Sequence, residues 1–144
     1  MPKTEQVKKA LELIRRGSAN HEYFFSKLDS PDWIEPLQAE GVFSTPPSVV
    51  RDGDTISFPF WPESEYLARM ASQDPEKVLA AMERIAETDN IRVHEDYTRA
   101  ALAMPGPLAA RWANRESSWI ERQDHLYFML PLELGKLSAH LARR

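Results

Sequence analysis

Residues 74–87, DPEKVLAAMERIAE, decide the fold class of this 144-residue chain. Apolar side chains recur there at i, i+1, i+4, i+7 and i+8, which places them on one face of an α-helix. They are Val78, Leu79, Met82, Ile85 and Ala86. Asp74 is a suitable N-cap, and Pro75 suits a first helical turn because its missing N–H costs nothing there. We predict a helix from about Pro75 to Glu87, with Leu79 and Met82 buried.

Helical spacing of apolar residues recurs on both sides of this stretch. It predicts a first helix with Val7, Leu11 and Ile14 on its apolar face, ended by Gly17. Four prolines mark helix starts, namely Pro31, Pro62, Pro75 and Pro105. The remaining predicted helices include those near residues 21–28, 32–40, 90–104 and 108–120, and a final one from Pro131 with Leu134, Leu137 and Leu141 on one face.

Residues 42–60 break the helical period. Two short β-prone runs, 49–50 and 56–58, flank the turn Asp52-Gly53-Asp54, so we predict a small hairpin or an ordered loop. A lone hairpin is marginally stable in water. We therefore expect aromatic side chains to hold it against the helices, namely Phe43, Phe58, Phe60 and Trp61.

Short amphipathic helices joined by tight turns predict one all-α domain over residues 1–144. The predicted architecture is a HEAT/armadillo-like α-superhelix of seven or eight helices, with an irregular or hairpin insertion near residues 42–60. A compact helical bundle is the alternative, because the same helices satisfy both arrangements.

Composition excludes several classes of protein. The chain has no Cys, which excludes disulfides, thiolate zinc sites and cysteine nucleophiles. Its 18 basic and 22 acidic residues give a net charge of −4, which argues against a nucleic-acid-coating role. The longest apolar run, Leu126–Leu132, is far shorter than a membrane span. The charged stretch from Pro2 to Arg16 is no apolar signal segment, so we expect a cytoplasmic protein.

Two stretches carry a resemblance to a known kind of protein. Residues 58–70, FPFWPESEYLARM, and residues 89–96, DNIRVHED, resemble the N-terminal helical-repeat region of large bacterial proteins of uncharacterised function. Residues 24–28, 33–37 and 130–137 fit the same resemblance, which covers most of the chain. It implies an α-superhelical module, a fragment of a longer protein, and no catalytic residue.

Motifs for catalysis, metals and nucleotides are incomplete. A zinc-protease helix needs a second His four residues after His94, but that position is Thr98. Asp52-Gly53-Asp54 starts like a calcium loop, but Ile56 and Phe58 stand where such a loop has polar or oxygen-donating residues. The five glycines are isolated, so no phosphate-binding loop is present. We predict no catalytic residue, no metal ligand and no cofactor.

Aromatic and basic side chains supply the candidate partner-binding residues, because Trp, Tyr and Arg dominate binding hot spots. We select Trp61, Tyr66, His94, Trp112, Arg111 and Arg115. Trp61 and Tyr66 stand where the irregular segment meets a helix, and either complete the core or line a pocket. Arg111 and Arg115, with Arg122, form a basic run at helical spacing.

The sequence therefore predicts a protein–protein interaction or scaffolding module, which is itself not an enzyme. A nucleic-acid-binding or catalytic helical-repeat domain is the alternative. Binding through the arginine run would weaken steeply with salt, whereas binding in an apolar groove would change little. The apolar face of the last predicted helix would also give weak self-association in a fragment of a longer array.

Overall fold

Helices form most of the part of the chain that the computed structural model describes, residues 2–121 and residue 140. In chain order the elements are α1 (Thr4–Arg15), α2 (Ser18–Lys27), a 3₁₀ turn (Pro31–Trp33), α3 (Ile34–Ala39), β1 (Val50–Asp52), β2 (Thr55–Ser57), α4 (Pro62–Met70), α5 (Pro75–Arg84), α6 (Ile91–Leu102) and α7 (Gly106–Glu121). The all-α prediction is confirmed at this coarse level, with one small two-stranded sheet in the described residues. Their helices are all too short or too polar to cross a membrane.

Apart from residue 140, the predicted last helix, from Pro131 through Leu141, lies outside the described residues. Its proposed role in self-association therefore stays a prediction.

The start of α5 follows the sequence closely. Pro75 occupies the first helical position, and the Oδ1 atom of Asp74 accepts a hydrogen bond of 3.2 Å from the backbone N–H of Lys77. The end differs from the prediction. Ile85 adopts an extended conformation, so the helix stops at Arg84 instead of continuing to Glu87. Ile85 is still buried, but Ala86, assigned to the same apolar face, is exposed.

The helices pack in two rows. In one row α2 contacts α4, and α4 contacts α6, while in the other α3 contacts α5, and α5 contacts α7. Contacts of α4 with α5, α5 with α6 and α6 with α7 join the rows, and α1 packs on α2. The core is formed by buried apolar residues from both rows, including Phe25, Ile34, Leu37, Leu67, Val78, Leu79, Met82 and Val93.

Polar contacts fix α4 between α2 and α6. The Glu63 Oε1 atom lies 2.6 Å from Nε2 of His21 on α2, and Ser64 Oγ donates a 2.6 Å hydrogen bond to Asp96 Oδ2 on α6. Arg69, near the end of α4, donates to the backbone carbonyls of Phe25 and Leu28 at the end of α2. These polar contacts tie α4 to α2 on one side and to α6 on the other.

The predicted hairpin is present. Strands β1 and β2 are antiparallel, with Val50 opposite Ser57 and Asp52 opposite Thr55. The loop between them contains Gly53 at φ +58°, a backbone conformation that glycine adopts without strain. All six strand residues are exposed to solvent. The hairpin therefore projects from the helices instead of lying on them.

Asn90 anchors the segment that carries the hairpin. Its fully buried side chain donates hydrogen bonds from Nδ2 to the carbonyl oxygens of Pro47, at 3.2 Å, and Pro59, at 2.8 Å. Its Oδ1 atom accepts from the backbone N–H of Arg92 at the start of α6. One side chain thus joins both ends of the insertion to a helix.

The aromatic residues expected to hold the hairpin differ in how deeply they are buried. Phe43 and Trp61 are buried, as expected, whereas Phe58 is half-buried and Phe60 is exposed. The Phe60 ring lies 5.1 Å from the guanidinium of Arg92, a cation–π contact at the surface. The expectation is therefore corrected for Phe60, because the hydrogen bonds of Asn90 anchor this end of the hairpin.

Leu79 is buried as predicted, with 1% of its surface exposed. We expect Leu79→Ala to lower the free energy of unfolding by about 2–5 kcal/mol, because it leaves a cavity in the core. Urea denaturation measures the loss. The matched control is Leu13→Ala on α1, where Leu13 is 42% exposed and truncation should cost less than about 0.5 kcal/mol. Equal losses in the two variants would contradict this core.

Candidate functional site

Trp61 and Tyr66 are predicted partner-binding residues that lie in the core. Trp61 and Tyr66 are 4% and 0% exposed. The Tyr66 hydroxyl donates a 2.6 Å hydrogen bond to the carbonyl of Ser30, and its ring stacks parallel to that of Phe43. Burial places Trp61 and Tyr66 in the core and not in a pocket, the two roles that the sequence left open. Rings buried in this way cannot contact a partner while the domain is folded.

The other four residues gather where α6 and α7 meet the end of α5. His94 and Trp112 are buried, Arg115 is half-buried and Arg111 is exposed. Burial removes His94 and Trp112 from the outer surface on which we expected a partner. His94 and Trp112 belong instead to a group of buried side chains between α6 and α7.

Both described arginines of the predicted basic run are bound to the last turn of α5. Arg111 Nη2 donates a 2.7 Å hydrogen bond to the Glu83 carboxylate, and Arg115 Nη1 donates one of 2.8 Å to the Glu83 backbone carbonyl. A cation at the carbonyl end of a helix is favourable because it offsets the helix dipole. Arg122, the third member of the run, lies outside the described residues.

A buried ion pair forms the centre of the arrangement. Nδ1 of His94 lies 2.8 Å from Oε1 and 2.9 Å from Oε2 of Glu116, and Nε2 donates to the backbone carbonyl of Thr88 at 2.7 Å. A carbonyl only accepts, so Nε2 carries a hydrogen. Both nitrogens of His94 are engaged, which leaves none free to take a proton from a substrate.

Two aromatic rings pack against His94 of this pair, and a third ring packs against one of them. The Trp119 indole stacks on the His94 ring with centroids 3.6 Å apart, and the Tyr97 ring meets His94 edge-on at 5.5 Å. The Trp112 ring meets Tyr97 edge-on at 4.9 Å, and the Arg115 guanidinium lies 5.2 Å from the Trp112 centroid. Each indole therefore has a basic side chain against one of its faces.

Tyr97, Trp112 and Trp119 line a small cavity of about 30 Å³ together with residues at the end of α5 and after it, and the cavity has room for one or two water molecules. We call it the α6–α7 cavity, defined by Tyr97, Trp112, Arg115, Glu116 and Trp119. Tyr97 Oη and the two indole Nε1 atoms are buried and have no hydrogen-bond partner among the described residues. Burial raises the pKa of Tyr97, with a smaller contribution from the Glu116 carboxylate, so its hydroxyl keeps its proton.

Glu116, Trp119 and Tyr97 are not among the site residues predicted from the sequence. A signal was nevertheless present, because Trp112, Glu116 and Trp119 follow one another at i, i+4 and i+7 on α7. A carboxylate between two tryptophans on a buried face needs a partner, since an isolated buried charge is costly. Spacing alone does not say that the partner is His94.

Breaking the buried ion pair should be costly. We expect Glu116→Leu and His94→Leu each to lower the free energy of unfolding by about 3–5 kcal/mol, because each leaves the other residue buried without its partner. The double variant should lose much less than the sum of the two. Urea denaturation of the four proteins provides this cycle. Strictly additive losses would mean that the two side chains do not interact.

The matched control for this cycle is the exposed ion pair on the same helix. Arg111→Ala removes the contact with Glu83 while the side chain is 59% exposed, and should cost less than about 1 kcal/mol.

The pair of His21 and Glu63 makes the stability depend on pH. The hydrogen bond to Glu63 raises the pKa of His21 above its ordinary value of 6.5, against the opposing effect of burial. Its stabilisation is therefore present below about pH 6.5 and is lost as pH rises through the raised pKa. We expect the melting temperature to fall between about pH 6 and pH 8, and to fall less in His21→Gln and in Glu63→Gln. An equal fall in all three proteins would contradict this assignment.

The described residues contain no cluster of three or more His, Asp or Glu side chains that could hold a metal ion. In comparisons with known proteins, no family model, no curated protein and no solved structure matches the chain.

Proposed function

We propose that this domain is a helical-repeat module that binds another protein through its exposed hairpin. The observation that carries the proposal is the distribution of exposed apolar side chains. Five large hydrophobic residues are exposed in the described part of the chain, and Val50, Ile56 and Phe60 belong to the hairpin or follow it directly. Val50 and Ile56 are about half exposed, at 50% and 47%. The register places Val50 and Ile56 on opposite faces of the hairpin, so a strand added at its edge would meet an apolar side chain on either face.

The hairpin is also suited to binding by its backbone. Among the described residues, β1 and β2 pair only with each other, so each strand has one outer edge without a partner strand. Such an edge can receive a strand of another protein, with backbone hydrogen bonds giving affinity and alternate side chains giving specificity. The anchors of Asn90 at Pro47 and Pro59 reduce the ordering cost of binding, because both ends of the segment are already held.

The contacts between helices support the repeat part of the proposal. Counting α-helices only, every extensive contact among the described helices joins helices one or two positions apart in chain order. A HEAT/armadillo-like superhelix has this property, since each repeat touches only its neighbours. The compact bundle is less well supported, because it would bring distant helices together around one axis. In this proposal the module works in the cytoplasm, as the sequence predicts.

The nucleic-acid alternative receives less support. Arg111 and Arg115, which suggested it, are bound to Glu83, so their charges are partly compensated within the domain. The two alternatives differ in their response to salt. Protein binding through the hairpin should change less than about threefold between low and moderate salt, whereas binding to phosphates changes by orders of magnitude.

Site-specific photo-crosslinking tests the proposed interface. A photo-reactive phenylalanine analogue replaces Ile56 in one variant and Leu13, an exposed residue on α1, in the control. In host cells we expect one discrete protein adduct from position 56 and not from position 13. Identical adducts at the two positions, or none at position 56, would contradict the proposal.

The purified partner then allows a quantitative test. Ile56→Asp should weaken its binding at least tenfold, about 1.4 kcal/mol, while the melting temperature is unchanged because the residue is exposed. Leu13→Asp should bind like the natural chain. Isothermal titration calorimetry measures both, and an unchanged affinity of Ile56→Asp would overturn the role of the hairpin.

A further inference from the structure

The two outer edges of the hairpin differ in the charge that they carry. Strand β1 contains Arg51 and Asp52, whereas β2 consists of Thr55, Ile56 and Ser57 and has no charged side chain. Sheets commonly protect an open edge with charged residues, with a proline or with a covering element. All three residues of β2 are exposed, so no described part of the chain covers them. The β2 edge therefore lacks the charges that protect β1 against pairing with another strand.

The register identifies the backbone groups that the β2 edge presents. Asp52 and Thr55 face each other across the two-residue turn, and Arg51 and Ile56 form the next pair. Hydrogen-bonded and non-hydrogen-bonded pairs alternate along an antiparallel ladder, and the pair that flanks a two-residue turn is a hydrogen-bonded one. The N–H and C=O of Ile56 therefore point away from β1. They offer one donor and one acceptor to a strand added at this edge.

Strand β2 is complementary to a second copy of itself. A two-fold axis through Ile56 sets the Ile56 residues of two copies opposite each other, and Thr55 of each copy opposite Ser57 of the other. The two Ile56 residues then exchange both of their outward backbone hydrogen bonds. Thr–Ser pairs are favourable between strands, and no charged side chain stands opposite another.

The same pairing is unfavourable at β1. By the same alternation, the outward backbone groups of β1 belong to Arg51. A two-fold axis there would set two arginines directly opposite each other, and like charges in that position destabilise a sheet. Charge therefore selects the β2 edge for pairing between copies.

Pairing at β2 would also give the hairpin a larger sheet. A two-stranded hairpin alone is marginally stable in water, and independent stability needs three or more strands. The described hairpin has two strands, and all of their residues are exposed. Two copies joined at β2 would form four strands in the order β1-β2-β2-β1, with the two Ile56 side chains in contact on one face.

We propose that a second copy of this chain pairs with the β2 edge and forms a symmetric dimer through a four-stranded antiparallel sheet. The inference rests on the proposed function, because it uses the same hairpin and names the chain that binds there. Each strand contributes three residues, so the interface is small. Small interfaces are typical of weak, concentration-dependent association.

Disulfide trapping tests the register of the dimer. The chain has no Cys, so a single introduced Cys reports only on its own contacts. In a directly opposed pair the two Cα atoms are about 5.5 Å apart, a distance that suits a disulfide. We expect Ile56→Cys to form disulfide-linked dimers under mild oxidation at least about tenfold faster than Arg51→Cys, because the two copies of position 51 are three strand spacings apart, about 14 Å. Equal rates, or a faster rate in Arg51→Cys, would overturn the proposal.

Exchange of charge tests the contact at the two-fold axis. Ile56→Lys and Ile56→Glu each set like charges opposite each other, so each variant should sediment as a monomer at concentrations where the natural chain associates. An equimolar mixture of the two should associate again, because opposite charges then face each other. A natural chain that stays monomeric over the whole concentration series would overturn the proposal. Association that survives in both variants, or a mixture that stays monomeric, would do the same.

The matched controls for this exchange are Leu13→Lys and Leu13→Glu on α1, which should associate like the natural chain. Positions 13 and 56 are both exposed, so the melting temperatures of all four variants should equal that of the natural chain. Loss of association in the Leu13 variants as well would overturn the assignment to β2.

The photo-crosslinking at position 56 separates failure of this inference from failure of the proposed function. An adduct of twice the mass of the expressed chain supports the second copy as the partner. A discrete adduct of another mass overturns the second copy and leaves the hairpin as a binding site for a different protein. The absence of any adduct at position 56 overturns both.

Discussion

The almost complete burial of α4 is the constraint on which the arrangement of helices depends. Two buried residues of this helix are polar, and each finds its partner on a different neighbour, Glu63 on α2 and Ser64 on α6. Apolar surfaces tolerate sliding and rotation, but a buried polar group without a partner is costly. These two contacts therefore fix which helices flank α4 and in what register. The row of α2, α4 and α6 follows from them.

The same physical rule governs α7. Glu116 lies on its buried face and requires His94 of α6, while Arg111 and Arg115 bind the end of α5. Contacts of charged side chains thereby fix α7 to both α6 and α5, and Trp112 and Trp119 fill the space between these helices.

The spacing of apolar and turn residues predicted the local elements of this fold, its helices and its hairpin. The helix around Leu79 was predictable because one face of a helix repeats every 3.6 residues, and the hairpin because turn residues separated two β-prone runs. The end of α5 was not predictable. Ile85 lies outside the helix but is still buried, and the spacing of apolar residues indicates burial without indicating whether a residue is helical. The candidate site was only partly predictable. His94 and Glu116 are 22 residues apart, and which helices meet is decided by tertiary packing.

The anchoring of the hairpin by a single asparagine has an evolutionary consequence. Pro47 and Pro59 are held at Asn90, and the strand residues between them are all exposed. Changes in the length or sequence of residues 50–57, which are all exposed, therefore leave the helical core untouched, as long as the two carbonyls keep their positions. Selection can diversify this segment rapidly while the helices drift slowly. Related chains should differ most there, and a foreign loop grafted between the two prolines should be accepted by the same scaffold.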